Sequence, residues 1–257
     1  LDPIEDAARQ LAAARRGAPL PGLAEASRPR DLAAAEAVQH ATLAALGEGI
    51  GGWKLGRHGG APFSAPFPAS RVLEDRGGLR AALPPGSLIE LEIAIRFRDA
   101  VPASRVASLR PEDLPGLATL ATLFEFVQPR FTADAVTGPL DRVADGLANN
   151  GGAVRESEAA WSLARLDAPP VTRLSQDGAP LARHEGPHVA APIRPLVEAW
   201  LARLGREGRG IGAGEVLTFG SLTGMRPIPA GGAEYRGEIE GLPPLRCTIE
   251  PAGVKKR

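Results

Sequence analysis

The chain changes texture near residue 50. The stretch DPIEDAARQLAAARRG (2–17) places apolar side chains at Ile4, Ala7, Ala8, Leu11 and Ala12, a helical spacing that stops at Gly17. A second helix is predicted to begin after Asp31, an N-cap residue, and to end near Gly47. Beyond Gly51 short β-like runs alternate with Pro and Gly. GGWKLG (51–56) reads as a strand, and LIELEIAIRF (88–97) is the clearest strand in the protein. LATLATLFEFVQPRF (117–131) reads as a helix running into a strand that Pro129 ends. PVTRLSQDGAPLARHEG (170–186) has a hairpin pattern with Asp177-Gly178 at its turn. IRPLVEAWLARLGREG (193–208) is an amphipathic helix with Leu196, Trp200, Leu201 and Leu204 on one face. Three further strands, in GEVLTFGSLTG, EYRGEIEG and LRCTIE, end the pattern. Helices followed mainly by strands predict an α+β chain with a mixed or antiparallel sheet core, not a doubly wound one. The expected division is an N-terminal helical segment, 1–50, and a β-rich catalytic domain, 51–257.

The strand at 88–97 is where chemistry enters. Residues two apart on a strand share a face. Ile89, Leu91, Ile93, Ile95 and Phe97 therefore share a core face, and Glu90, Glu92, Ala94 and Arg96 share the other. Two neighbouring carboxylates repel, so something positive should offset them: Arg96, an arginine from elsewhere, or a bound cation. Carboxylate oxygens suit a hard divalent ion; the alternative is a polar outer face paired with arginines. Glu125 stands alone in an apolar run between Phe124 and Phe126, where a lone acid is more often paired or liganding than idle.

Composition adds one anomaly. The chain has 257 residues, 44% of them hydrophobic, and zero formal net charge, which gives no sign of nucleic-acid or membrane partners. It is rich in arginine but holds only three lysines, Lys54, Lys255 and Lys256. The last two belong to a basic end expected to be solvated and frayed, so the body keeps one lysine, in GGWKLG. A single cysteine, Cys247, excludes an internal disulfide and fits a reducing, cytoplasmic setting; it reads as a core filler. No signal peptide and no membrane span is visible. GREGRGIGAGE follows a helix and precedes a strand, the reverse of a dinucleotide-binding order. His184 and His188 read as a loop pair rather than metal ligands.

Taken in order, GWKLG, IELEIAIRF, LFEFVQPRF, VADGLANNGG, GEVLTFGSLTG and GEIEG resemble the fumarylacetoacetate hydrolase superfamily, in its 2-keto-4-pentenoate hydratase and 4-oxalocrotonate decarboxylase branch. The resemblance covers roughly residues 5–250. It implies a β-rich roll preceded by a helical segment, and a homo-oligomer. It also implies Mg²⁺ or Mn²⁺ on Glu90, Glu92 and Glu125, with Lys54 as the active-site lysine. The implied substrates are 2-oxo and 2-hydroxy-dienoic acids of aromatic catabolism, hydrated after enol–keto tautomerisation. Burial and a divalent cation would lower the Lys54 pKa while three glutamates would oppose them. The resemblance places Thr223 near the substrate, and the polar loop with Asp145 and Asn149 is a further candidate for substrate contact. The chain departs from the hydratases after Gly56, where Arg57 and His58 replace the usual Thr or Ser. No acid falls at the family's Asp position: Ser70 and Arg71 stand there, and Asp75 follows a few residues late. Arg57, His58 and Arg71 could hold a second carboxylate, which favours decarboxylation of a dicarboxylate as the alternative. An acylpyruvate C–C hydrolase would call for a Glu-His pair, for which Glu74 with His58 is the nearby candidate. A non-catalytic homologue is the remaining reading.

Overall fold

The computed structural model describes residues 2–252; Lys255, Lys256 and Arg257 lie outside the described residues. Helix α1 (Pro3–Arg16) starts where Asp2 accepts a hydrogen bond from the Ile4 amide at 3.1 Å. Helix α2 (Leu32–Leu46) starts where Asp31 accepts from the Ala34 amide, and ends at Gly47 in the left-handed region, φ 72°. Both ends follow the capping pattern of the sequence.

The strands are β1 (Ile50–His58), β2 (Ala61–Pro68), β3 (Val72–Glu74), β4 (Leu79–Leu83), β5 (Leu88–Phe97), β6 (Ala118–Val127), β7 (Asn149–Ser157), β8 (Thr172–Gln176), β9 (Ala179–His184), β10 (Val216–Thr218), β11 (Arg226–Pro227), β12 (Ala233–Ile239) and β13 (Leu245–Pro251). Between them lie α3 (Ala103–Val106), α4 (Pro139–Ala144), α5 (Ala164–Asp167) and α6 (Arg194–Arg206). One sheet runs β2-β1-β10-β5-β6-β7-β3, with β11 also on β5; the other runs β4-β13-β12-β8-β9. Pairs β1/β10, β3/β7 and β4/β13 are parallel and the rest antiparallel. The result is an α+β roll of curled, mixed sheets.

Residues 117–131 do not start as a helix. They form one strand, β6, buried at every position from Ala118 to Val127. Leu117, Leu120 and Leu123 mimic a helical period, but β6 pairs with β5 on one side and β7 on the other. A strand covered on both faces is a near-continuous apolar run, which periodicity alone does not separate from a helix. The hairpin at 170–186 forms as expected, with Asp177 and Gly178 at φ 49° and 80°.

The core face of β5 feeds two clusters. Ile89 and Leu91 pack with Phe124, Tyr235 and Leu245 between the two sheets. Ile93, Ile95 and Phe97 pack with Trp53, Leu55 and the Leu196, Trp200 and Leu204 face of α6. A third cluster joins Ala7, Leu11, Ala35 and Val38 of α1 and α2 to Phe63, Ala65, Val143 and Ala144. The N-terminal helices are thus fastened to β2 and α4.

Candidate functional site

Strand β1 sends Trp53 and Leu55 into the core, so Lys54 points the other way. Its strand is held close to β10 through Gly52, which pairs with Val216. A Cβ at Gly52 would lie 2.4 Å from the Val216 carbonyl oxygen. On β5 and β6 the register sets Glu90 directly opposite Glu125, with Glu92 two residues along on the same face as Glu90. The Lys54 ammonium meets all three acids: Nζ is 2.6 Å from Glu125 Oε2, 3.1 Å from Glu90 Oε2 and 3.6 Å from Glu92 Oε1. Glu92 and Glu125 are fully buried, and Glu90 and Lys54 are 7% and 8% exposed.

Arg96 does not offset these acids; it pairs with Glu156 and Glu74 at 3.0 and 3.3 Å. The offsetting charge is Lys54. Burial favours its neutral amine, but Glu125, Glu92 and Glu90 together outweigh burial and hold Lys54 well above the ordinary lysine range. Burial pushes the Glu125 carboxyl up to about 8 against the pull of Lys54, and pushes Glu90 up as well.

A second layer fixes the carboxylates. Thr218 on β10 donates its hydroxyl hydrogen bond to Glu92 Oε2. Asn149 Nδ2 donates to Glu125 Oε1 at 3.0 Å. The Asn149 carbonyl accepts from Arg130 Nη2, and from Arg15 Nη1 at 3.3 Å. Arg130 also faces Asp145 Oδ1 at 3.6 Å. Burial raises the Asp145 pKa, with Arg130 and Arg15 opposing. Through Arg15, helix α1 reaches the loop that orients Glu125.

Lys54 and Glu90 open onto a cavity of about 540 Å³. Lys54, Glu90, Arg130, Arg142 and Asp145 line it, with Leu88, Val127, Phe131, Leu147 and Met225 as apolar wall. A larger cavity, about 790 Å³, lies over β8, β9, β12 and β13 and contains none of the candidate residues. The candidate residues therefore lie at the smaller one.

Other candidates fall elsewhere. Arg57 is exposed and donates to the Ala190 and Pro192 carbonyls at 2.7 and 2.8 Å; it does not line the cavity. Arg71 lines a separate small space with Arg15, Glu48 and Asn150. Thr223 accepts from the Leu91 amide at 3.2 Å, which ties its loop to β5 beside Glu90. Asp75 is buried away from the acids, with Gly77 and Arg155 as partners. Glu74 pairs with Arg76 and Arg96 rather than His58. His184 hydrogen-bonds Gly186, whereas His188 is buried edge-on against Phe219, so the two form no joint site. Sequence reasoning missed Thr218, Arg130 and Arg142. Only Thr218 left a trace there, as a hydroxyl inside the apolar run VLTF.

Among the described residues, Glu90, Glu92 and Glu125 form a group able to hold a metal ion, with one ligand oxygen from each within 4.8 Å of the others. Glu92 Oε1 is buried with no hydrogen-bond partner. An all-carboxylate donor set with an orphaned oxygen fits a hard divalent cation.

No protein-family model matches the sequence, and no curated protein matches it. Solved structures do match. The 4-oxalocrotonate decarboxylase of Pseudomonas putida G7, complexed with magnesium and adipate, has a TM-score of 0.72 at 18% identity, over 96% of this chain and 97% of that one. Complexed with calcium and acetate it gives 0.71 at 18% identity, over 96% of each chain. The chain has the fumarylacetoacetate hydrolase fold. Another structure of that fold is maleylpyruvate hydrolase from Sphingobium sp. SYK-6, with manganese (II) and pyruvate. It gives a TM-score of 0.51 at 15% identity, over 77% of this chain and 70% of that one. Those neighbours were solved with magnesium, calcium or manganese (II) bound. No helix among the described residues is long and apolar enough to cross a membrane.

Proposed function

We propose that this chain is a divalent-metal-dependent lyase acting on 2-oxo and 2-hydroxy-dienoic acids, adding water after enol–keto tautomerisation. The observation that carries this reading is Lys54 Nζ within 3.6 Å of three buried glutamates at the wall of one cavity. Magnesium or manganese on Glu90, Glu92 and Glu125 would supply Lewis acidity toward the oxygens of a 2-oxo acid. Lys54, whose ammonium the three glutamates hold protonated, presents a proton at Nζ that it can give to the substrate's carbon skeleton, a transfer for which an arginine is a far poorer acid. Thr218 and Asn149 keep the Glu92 and Glu125 carboxylates in place. The apolar wall limits water around the reacting carbons. We further propose that the protein works as a cytoplasmic homo-oligomer in aromatic catabolism.

Decarboxylation is the second reading, favoured by the match to the Pseudomonas decarboxylase along 96% of this chain. One assay separates the readings. Magnesium-loaded protein is mixed with 2-hydroxypenta-2,4-dienoate, with 2-oxohex-3-enedioate and with an acylpyruvate. Loss of dienol absorbance, CO₂ release and pyruvate formation are followed respectively. EDTA-sensitive loss of the dienol is expected. CO₂ or pyruvate formation in its place moves the protein to decarboxylation or C–C hydrolysis, and no turnover of any 2-oxo acid leaves a non-catalytic homologue.

A further inference from the structure

The small space beside Arg71 lies where the helical segment meets the β-rich part of the chain. It measures about 150 Å³, between the end of α2, the end of β2 and the start of β7. Arg15, Arg16 and Arg71 line it with one acid, Glu48, and with Asn150. It shares no lining residue with the Lys54 cavity. Three guanidiniums against one carboxylate leave a surplus of two positive charges. Arg130 and Asp145, one cation and one anion near Arg15, do not change that surplus.

The cations are held in place and left short of partners. The Arg71 side chain makes no hydrogen bond or ion pair among the described residues. Its backbone is pinned. Gly151 stands at φ 94°, and a Cβ there would lie 2.3 Å from the Arg71 carbonyl oxygen, so only glycine lets β7 come this close. The Arg15 side chain is 11% exposed, and its Nε is buried with no hydrogen-bond partner. Its Nη atoms donate to the Asn149 and Asp145 carbonyls, at 3.3 Å each. Burial, with Arg130 and Arg71 adding to it, pulls Arg15 down to about 9 against Asp145 and Glu48. Arg16 donates to the Ala45 carbonyl at 3.3 Å. Glu48 is engaged by the Ser70 amide and hydroxyl, at 3.3 and 2.6 Å.

We infer that Arg15, Arg16 and Arg71 bind a small doubly charged oxyanion of the inorganic phosphate type at this joint, away from the Lys54 cavity. The site does not depend on the reaction proposed above. Guanidinium groups present forked donors that match phosphate oxygens, and a dianion balances the surplus of two charges. At about 30 Å³ per water the space holds about five waters, which is room for a phosphate ion and not for the body of a phosphate ester. Arg15 also carries the Asn149 carbonyl, and the Asn149 side chain holds Glu125. A bound anion therefore fastens α1 to the loop at 145–150 that orients Glu125.

The test titrates the full chain with inorganic phosphate in EDTA, so that no metal at the three glutamates can take the anion, with ionic strength held constant by NaCl. Phosphate should raise the urea midpoint saturably, as a ligand of the folded state does, and slow amide exchange at 15–16, 69–71 and 145–150. Arg71→Gln should weaken binding at least about tenfold, the loss of one charge-assisted pair, and Arg71→Lys should recover part of it. Arg142→Gln, which removes a cation of the Lys54 cavity, should bind phosphate as the wild type does. Phenyl phosphate should bind at least about tenfold more weakly than phosphate. No saturable stabilisation of the wild type, or the same stabilisation in Arg71→Gln, overturns the site. Loss of binding in Arg142→Gln places the anion in the Lys54 cavity and overturns it as well. Phenyl phosphate binding as tightly as phosphate overturns the assignment to a free anion.

Discussion

Glu90 and Glu125 stand directly opposite each other on β5 and β6, and the Lys54 ammonium bridges them at 3.1 and 2.6 Å. Like charges in that register repel, so the arrangement needs a cation to persist. Glu90→Gln/Glu92→Gln removes two carboxylates from the set and should abolish Mn²⁺ binding, read by electron paramagnetic resonance on the titrated protein. Retained stoichiometric binding in the double variant would place the metal elsewhere.

Lys54 neutralises the same acids when no metal does. Lys54→Met leaves buried carboxylates without their counter-charge, a change that costs about 3–5 kcal/mol. The variant should lose that much stability in EDTA and regain most of it in saturating Mg²⁺, measured by urea unfolding. Turnover in Mg²⁺ should fall about 10²–10⁴-fold. Equal stability of variant and wild type in EDTA would show that Lys54 is not the counter-charge.

Thr218 acts one step removed. Its hydroxyl donates to Glu92 Oε2, and the residue pairs with Lys54 across β1 and β10. Thr218→Val keeps shape and removes the donor. Second-layer changes of this kind weaken metal binding about 10–100-fold. Calorimetric titration should show that loss with an unchanged circular-dichroism spectrum.

Much of the frame was legible in the sequence. The capped helices, the 88–97 strand with Glu90 and Glu92 on one side, and the Asp177-Gly178 turn follow from local rules that need no partner. What the sequence could not supply was register. Nothing in the spacing of Glu90 and Glu125 says that β5 and β6 align them, or that Lys54 reaches across β10 to meet them. The β6 error has the same origin, since pairing on both sides decided that segment and its leucine spacing did not. Arg57 and Arg142 look alike as letters. Only the fold shows Arg57 tied to backbone carbonyls and the Arg142 side chain without a partner among the described residues.

Cys247 predicts an alkaline limit. Burial, helped by Asp75, pushes its thiol up to about 12 from an ordinary value near 9. The folded thiol therefore keeps its proton where the unfolded one loses it, so the unfolded state binds fewer protons and stability falls as pH rises between about 9 and 12. The slope from one such group is at most about 1.4 kcal/mol per pH unit. Urea midpoints in EDTA should be insensitive to this thiol near neutral pH and fall above about 9. Cys247→Ala should flatten that fall without abolishing it, because burial also pushes Tyr235 up to about 12. An identical slope in the variant would show that the thiol is not responsible.

Gly52 tests whether backbone packing places the lysine. A Cβ there would stand 2.4 Å from both Val216 Cγ2 and the Val216 carbonyl oxygen, and 2.9 Å from its amide nitrogen. The conflict is mainly with backbone, so it cannot be relieved by a rotamer change, and β1 must move away from β10. Lys54 lies two residues along the same strand and Thr218 lies opposite it, so both the ammonium and the Glu92 donor shift together. Gly52→Ala should destabilise the protein by about 1–3 kcal/mol, the usual penalty of overpacking. It should also lower turnover more than Thr218→Val does, since it disturbs two partners of the acids at once. The discriminating measurement is kcat at a temperature where urea titration shows the variant fully folded. Wild-type kcat under those conditions would mean that the Gly52–Val216 approach serves stability alone.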